Sequence, residues 1–291
     1  FAGQNISTGT NNTIVGGLAG DALTTGGSNI AIGKEALTTE DTGGRNVAIG
    51  QAALRDQNYD GSAYNIAIGY GASMTVTTGI KNTIIGGLAG DALTTGNENV
   101  AIGYEALTAE DTGGKNVAVG KETLRALDVG GDGYNVAVGF EAGHDMTTGI
   151  ENALIGAKAG DSLTTGSYNT AVGSRALQAE DAHGRNVAVG YNSLATLDAG
   201  ADAYNVGVGF KAGEAMTTGV QNTIVGGLAG DALTTGTQNT VLGTQALSAE
   251  DTDSYNTAIG YQALLVQDGG SNNTAVGTQA GDAVTTGDNN T

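Results

Sequence analysis

Asn99-Val100-Ala101-Ile102-Gly103 is the stretch that decides the fold, because variants of it return along the whole chain. The first residue of this motif recurs after 17, 17, 19 and 17 residues, and the series forms a block of 70 residues that is itself repeated. The fourth block is two residues shorter, since it lacks an insertion that the other blocks carry. A short, regular period identifies a repeat protein. The motif begins at Asn12, Asn29, Asn46, Asn65, Asn82, Asn99, Asn116, Asn135, Asn152, Asn169, Asn186, Asn205, Asn222, Asn239, Asn256 and Asn273.

The three apolar residues of the motif predict a short β-strand between a turn-forming Asn and a Gly. Side chains of a strand alternate between its two faces, so three apolar residues in a row mean that both faces are covered. A unit of 17 residues is too short for two packed helices, which need about 34. Two short strands and two turns fit that length. The predicted fold class is therefore all-β, a parallel β-solenoid with one coil per motif.

Stacked coils would place equivalent residues in columns. Asparagine side chains in a column are expected to hydrogen-bond from one coil to the next, and Asn tolerates a left-handed backbone. The glycine that ends each motif predicts a corner with positive φ or a close approach of two backbones. Three residues further on stands a small residue such as Ala106 or Ala142, which indicates a narrow space. The columns thus predict a tightly packed interior.

Composition and charge exclude several classes of protein. The 51 glycines and the absence of proline suit turns, and the periodic apolar residues between them argue against a disordered linker. A net charge of −19 repels nucleic acid and anionic membranes. The chain has no apolar run near the roughly 20 residues needed to span a bilayer. Both ends fall inside a repeat, so residues 1–291 are expected to form one continuous array within a longer fibre.

Each coil offers few large apolar side chains, which is a weak core for an isolated solenoid. The strand Val100-Ala101-Ile102 is apolar on both faces, so an isolated chain would expose an apolar stripe larger than soluble monomers tolerate. Packing against sister chains would cover that stripe. The sequence therefore predicts a homotrimer, with the Ala101 and Ala137 face as one candidate for the contact.

Three stretches carry a resemblance to known families: NVAIGYEAL (Asn99–Leu107), NTAIGYQAL (Asn256–Leu264) and NTAVGTQAGDAVTTG (Asn273–Gly287). The chain resembles the tail-fibre shafts of bacteriophages and the related YadA-like heads of trimeric autotransporter adhesins. Adhesin heads have shorter coils, so the phage-type arrays are the better match. The resemblance implies a left-handed β-roll, a homotrimer and an extracellular or virion location. It implies a structural shaft that presents a tip to a host surface, or else an adhesin head that binds matrix or glycan with its own sides.

Residues capable of catalysis are scarce. The chain has no cysteine, and its two histidines, His144 and His183, have no counterparts in the other blocks. General acid–base chemistry needs a positioned group of this kind. The sequence predicts no enzyme, no cofactor and no metal site.

Acidic pairs occur once per block, and their carboxylates would suit calcium. Successive pairs lie four coils apart, roughly 19 Å along a solenoid, so one chain cannot join them into a single site. The prediction is solvated charge that keeps the fibres apart. The pairs are Glu40-Asp41, Glu110-Asp111, Glu180-Asp181 and Glu250-Asp251.

Three tyrosines are the candidate surface contacts. Tyr64, Tyr134 and Tyr204 stand just before the motif Asn of the 19-residue coils. An aromatic ring there can stack on a sugar or cover the neighbouring coil, and the second interpretation is favoured.

Threonine pairs raise an ice-binding alternative, because threonine ladders on flat solenoid faces order water. Aspartates interrupt the threonine column in alternate pairs of coils, as at Asp41, Asp111 and Asp181. Ice binding is therefore the least favoured function.

Overall fold

The computed structural model describes residues 1–249 and 252–291. Glu250 and Asp251, one of the four acidic pairs, lie outside the described residues. The described residues contain no α-helix, and each complete Asn motif forms one strand of three residues. The prediction of an all-β parallel solenoid with about one coil per motif is confirmed.

The chain folds into two compact units, Phe1–Ile150 and Glu151–Thr291. The first unit contains β1 (Thr13–Val15), β2 (Ile30–Ile32), β3 (Val47–Ile49), β4 (Ile66–Ile68), β5 (Thr83–Ile85), β6 (Val100–Ile102), β7 (Val117–Val119) and β8 (Val136–Val138). The second contains β9 (Ala153–Ile155), β10 (Thr170–Val172), β11 (Val187–Val189), β12 (Val206–Val208), β13 (Thr223–Val225), β14 (Thr240–Leu242), β15 (Thr257–Ile259) and β16 (Thr274–Val276).

Within each unit every strand pairs in parallel with the next strand of the chain. The register is constant, so that Ala101 of β6 lies opposite Ala118 of β7 and Ala171 of β10 lies opposite Ala188 of β11. Parallel strands need a connection that returns the chain to the same end. One repeat therefore makes one turn of the solenoid.

Only the middle residue of each strand points into the coil. Ala101 and Ala137 are fully buried, whereas Val100 and Ile102 are half-buried on the outer face of the sheet. The expectation that the alanine face meets partner chains is wrong, because that face lines the interior of the chain's own coil. Any partner would instead meet the β-branched residues on either side.

Each coil has one strand where the sequence predicted two. Beyond the strands, the described residues show bridges only at Gly44↔Ser62 and Gly114↔Asp132. The reason is backbone conformation: Glu105 and Leu107 have φ of 53° and 55°, in the left-handed region that an extended strand excludes. Glu105 N–H donates to the Gly87 carbonyl of the preceding coil and Leu107 N–H to the Thr123 carbonyl of the next.

The motif glycine forms the predicted corner for both of the proposed reasons. Gly103 has a φ of 144°, and a Cβ placed there would lie 2.1 Å from the carbonyl oxygen of Gly120. Ala106, three residues on, is fully buried, and so is the side chain of Leu107. The narrow interior predicted from the small residues is confirmed.

The motif asparagines form the predicted column of hydrogen bonds. Asn99 donates its backbone N–H to Oδ1 of Asn82, at 2.9 Å, and its Nδ2 to the carbonyl of Gly113, at 2.8 Å. The left-handed residue, however, is the one before the asparagine, since Glu98 has a φ of 60°. The asparagine side chain forms the hydrogen bonds between coils, and the residue before it adopts the left-handed conformation of the turn.

Candidate functional site

A buried glutamate occupies a core position once in each of the first three blocks. The residue 11 positions after the motif Asn points into the coil, and in most coils it is apolar, as at Leu23 and Leu93. The same column holds Glu40, Glu110 and Glu180, which are all fully buried. The prediction that the acidic pairs are solvated charge is therefore wrong for the glutamates. It holds for their partners, because Asp41 and Asp111 are half-exposed and Asp181 is exposed.

Hydrogen bonds to the backbone explain why a carboxylate is tolerated in the core. Gly43 donates its N–H to Oε1 of Glu40 at 2.7 Å, and Tyr59 donates to Oε2 at 3.3 Å. In a coil with leucine in the column, Gly26 N–H donates instead to the Asp41 carbonyl of the next coil. The coil that follows each glutamate carries the two-residue insertion, which changes the course of the neighbouring backbone. The carboxylate provides the acceptor that the regular stack provides elsewhere.

Burial shifts the acidity of these glutamates. Loss of hydration raises the pKa of Glu40 and of Glu110 to about 7, against the opposing effect of their backbone hydrogen bonds. Burial raises the pKa of Glu180 to about 6, and the neighbouring His183 favours its charged form. Burial disfavours the charged form of a carboxyl group because water no longer solvates it. The three glutamates therefore change protonation near neutral pH.

Each of the later two glutamates belongs to an acidic cluster that spans two coils. Asp128 joins Glu110 and Asp111, and one carboxylate oxygen from each lies within 4.8 Å of the others. In the second unit, one ligand atom from each of four residues meets the same limit: Glu180, Asp181, His183 and Asp198.

The sequence reasoning missed the third aspartate, because it compared acidic pairs four coils apart. Asp128 and Asp198 stand 17 residues after Asp111 and Asp181, which is one coil. Aligning the repeats at that offset would have placed them together.

The tyrosine candidates are half-exposed, with 52% of Tyr64, 51% of Tyr134 and 54% of Tyr204 accessible. A cation of the preceding coil lies over each ring. The distance to the ring centroid is 5.5 Å for Arg45 and Tyr64, 5.0 Å for Lys115 and Tyr134, and 5.6 Å for Arg185 and Tyr204. Lys115 Nζ also donates to the Tyr134 hydroxyl oxygen, at 3.0 Å. The rings pack on the neighbouring coil through these cations and keep about half of their surface in water.

The tyrosines belong to a column of cations and aromatic residues that the sequence reasoning did not identify. The residue before each motif Asn has a left-handed backbone, including Tyr64 at 56° and Lys115 at 59°. Cations and aromatic residues recur at this position among other polar residues such as Glu98. In the second unit Arg185 lies 5.4 Å from the Tyr168 ring as well as 5.6 Å from that of Tyr204. Such contacts contribute on the order of 0.5–1 kcal/mol at exposed sites.

The outer face of the sheet carries a second exposed aromatic column, one residue after the motif glycine. Tyr104 and Phe140 expose 49% and 44% of their surfaces, and Tyr191 stacks on Phe210 with centroids 5.6 Å apart. These rings add exposed aromatic surface two residues after the last residue of each strand. Sequence reasoning had named the tyrosines before the asparagine and passed over this column.

No segment of the described residues is a helix that could span a bilayer. No family model matches the sequence, and comparisons with curated proteins and with solved structures find no match either.

Proposed function

We propose that the chain is a structural, non-enzymatic segment of an extracellular or virion-borne fibre. In this role it forms a homotrimer and presents a tip that attaches to a host surface. The repeated hydrogen bonds support the proposal, because each coil offers the next one the same set of donors and acceptors. A unit of this kind extends by repetition, and its stability comes from nearest-neighbour contacts.

The observation that carries the proposal is the outer face of the sheet. Outward strand residues such as Ile155 and Leu242 expose 42% and 48% of their surface, and they recur from coil to coil within a unit. Extended apolar patches mark interfaces on soluble proteins. A shaft that packs against sister chains accounts for a face of this composition.

Charge supports a second copy of the same chain as the partner. None of the described strands contains a charged residue, although the chain has 30 acidic residues and a net charge of −19. Like charges facing one another would oppose self-association. The uncharged face is where three equally acidic chains can meet.

Light scattering on the purified chain tests this assembly. The expected mass is three times the chain mass of 28.6 kDa. Lysines at Val225 and Leu242, which lie opposite each other on β13 and β14, should dissociate the trimer. The matched control places lysines at Gln221 and Gln238, the exposed residues that precede the Asn motifs of β13 and β14. Lysine already occupies that column at Lys81 and Lys115, so the control should remain trimeric.

An adhesin head that binds glycan with its sides is the second candidate, supported by the half-exposed rings of Tyr64, Tyr134 and Tyr204. Aromatic surface suits the apolar face of a sugar ring. The cations over these rings compete for the same surface, which favours the structural role. Replacing all three tyrosines with alanine should leave host-surface binding unchanged under the favoured proposal and abolish it under the second.

Ice binding receives little support. The Thr94 hydroxyl donates to the Asp111 carbonyl at 3.0 Å, and the Thr164 hydroxyl donates to the Asp181 carbonyl at 2.8 Å. Hydroxyl groups that bond to the neighbouring coil have less capacity to order water.

A further inference from the structure

The cluster in the second unit combines three carboxylates with one imidazole. Asp181, His183 and Glu180 come from one coil and Asp198 from the next, and one ligand atom from each lies within 4.8 Å of the others. His183 Nδ1 is 3.6 Å from Oε1 of Glu180. A tetrahedral ion with bonds of about 2.0–2.2 Å holds its ligand atoms roughly 3.4 Å apart. Closing the ligand atoms from within 4.8 Å to that spacing would let one ion contact all four groups.

Two buried atoms of the cluster lack a hydrogen-bond partner. The Glu180 side chain is fully buried, and its Oε2 accepts no hydrogen bond. The backbone N–H of Ala199 favours the charged form of the Glu180 carboxyl group, but it does not have the geometry of a hydrogen bond to Oε2. His183 Nδ1 is likewise buried and without a hydrogen bond. Native proteins rarely leave such atoms unsatisfied, and an unprotonated carboxylate oxygen and imidazole nitrogen are both ligands for a cation.

The backbone holds these residues in place from outside the cluster. The His183 carbonyl accepts a hydrogen bond from Nδ2 of Asn169, at 3.2 Å. Asp198 donates its N–H to the Thr217 carbonyl at 2.7 Å, and the Asp181 carbonyl accepts from Thr165 N–H at 3.2 Å. These contacts belong to the coil-to-coil ladder. A site built on a rigid frame loses less entropy when it binds its ligand.

We propose that Glu180, Asp181, His183 and Asp198 bind one divalent transition-metal ion, with Zn²⁺ the best match. Carboxylate oxygens and a neutral imidazole nitrogen are zinc ligands in proteins. Calcium takes oxygen ligands and would gain nothing from the imidazole. The ion would stabilise the inserted coil by joining Asp198 to the coil that carries His183. This is opposite to the expectation from sequence, which predicts no metal site.

The chain contains its own comparison sites. The equivalent cluster one block earlier, Glu110, Asp111 and Asp128, has Gly113 where His183 stands. The first block has Gly43 at that position and Asn58 in place of the second-coil aspartate. Only the third block unites the imidazole with both aspartates. The expected stoichiometry is therefore one tightly bound zinc ion per chain.

Zinc alone, titrated into chelator-treated protein at neutral pH and followed by calorimetry, tests the proposal. The wild-type chain should bind one equivalent, and its melting temperature should rise because the ion binds only the folded state. His183→Gly and Asp198→Asn each install the residue that the chain itself uses in another block. Each should weaken binding at least about tenfold, and each variant should remain folded without metal.

His144 provides the control for adventitious binding, because it also lies beside carboxylates. Its Nδ1 is 2.7 Å from Oδ1 of Asp145, and its Nε2 is 3.9 Å from Oε2 of Glu122. His144→Ala should retain the equivalent of zinc. The proposal is overturned if the wild type binds no zinc, if His183→Gly binds as the wild type does, or if the equivalent is lost with His144 instead. Binding of calcium with equal affinity by wild type and His183→Gly would overturn the role of the imidazole.

Discussion

The backbone N–H of Asn116 donates a hydrogen bond to Oδ1 of Asn99 at 2.9 Å, across one turn of the solenoid. The side chain of Asn99 also donates through Nδ2 to the Gly113 carbonyl at 2.8 Å. One buried amide group therefore satisfies a backbone donor of the following coil and a backbone carbonyl near the end of its own coil. This is the reason that asparagine, and no apolar residue, opens the motif.

Asn99→Ala should destabilise the protein by about 2–5 kcal/mol, because it leaves both the Asn116 N–H and the Gly113 carbonyl without a partner in a buried position. Chemical denaturation measures the change. Asn97→Ala is the control two residues earlier in the chain, since the Asn97 side chain is exposed and accepts one hydrogen bond, from Ile80 N–H. Its effect should stay below about 1 kcal/mol. Equal effects of the two substitutions would show that the ladder is not a main source of stability.

Alanine substitutions at two adjacent glycines distinguish the cost of a steric clash and backbone strain from the general effect of replacing a glycine. Gly226 has a φ of 142°, and a Cβ there would lie 2.5 Å from the Gly243 carbonyl oxygen, whereas a Cβ on Gly227 meets nothing within 4 Å. Gly226→Ala should lower the free energy of unfolding by at least about 2 kcal/mol. Gly227→Ala should change it by less than about 0.5 kcal/mol. A thermal melt of both variants checks the difference, and a harmless Gly226→Ala would contradict the close approach of the two coils.

Much of the fold was predictable, because a short period fixes the architecture. The 17-residue spacing and the invariant glycine corner required stacked coils with close backbone contacts. The assignment of faces was not predictable in the same way. Val100, Ala101 and Ile102 are all apolar, so the pattern has no contrast between the inward and the outward residue. The small size of Ala101 was the available signal, since a narrow coil accepts small residues and leaves the β-branched ones outside.

The acidic site was harder to predict, because its residue types usually lie on the surface. Glutamate is rarely fully buried, and Glu180 was accordingly placed on the surface. The equivalent position in other coils indicated burial, since it is apolar there, as at Leu23 and Leu93. The role of Asp198 depends on a contact across one coil, which follows from the repeat length only once the repeats are aligned as a stack.

Ala101→Asp tests the corrected assignment of faces. The Ala101 side chain is fully buried in the coil, so a carboxylate there should lower stability by about 4 kcal/mol or more and impair folding. Ala201→Asp makes the same change at an exposed position outside the strands, and its effect should be within about 0.5 kcal/mol. Far-UV circular dichroism and thermal melting distinguish them. A folded Ala101→Asp monomer of normal stability would restore the alanine face as a surface for partner chains.

Stability should decrease as the pH rises through neutrality, because the buried glutamates bind protons more tightly in the folded protein. Their ordinary pKa is 4.5, whereas the folded values are about 7 for Glu40 and Glu110 and about 6 for Glu180. Between these limits the native state holds more protons than the unfolded state, so the free energy of unfolding falls with increasing pH. The contribution is fully present below pH 4.5 and is lost as the pH rises through 6 to 7.

The triple variant Glu40→Gln, Glu110→Gln and Glu180→Gln should remove this dependence, since glutamine stays neutral. We expect the wild type and the variant to have similar stability at acid pH. Above neutral pH the variant should be more stable, by about 1 kcal/mol or more for each glutamate. Melting temperatures measured across that range in the presence of a chelator test the expectation without interference from bound metal.

The matched control for this pH experiment neutralises the neighbouring aspartates. Asp41→Asn, Asp111→Asn and Asp181→Asn remove the same total charge from positions that are at least partly exposed. Long-range relief of the net negative charge would affect both triple variants equally. Local burial of the carboxylates would affect the glutamine variant more strongly, because burial raises the pKa of Glu40 and Glu110 more than the neighbouring aspartates do. The difference between the two melting curves should therefore grow as the pH rises. Parallel curves at all pH values would show that the glutamates ionise in the folded protein as they do in water.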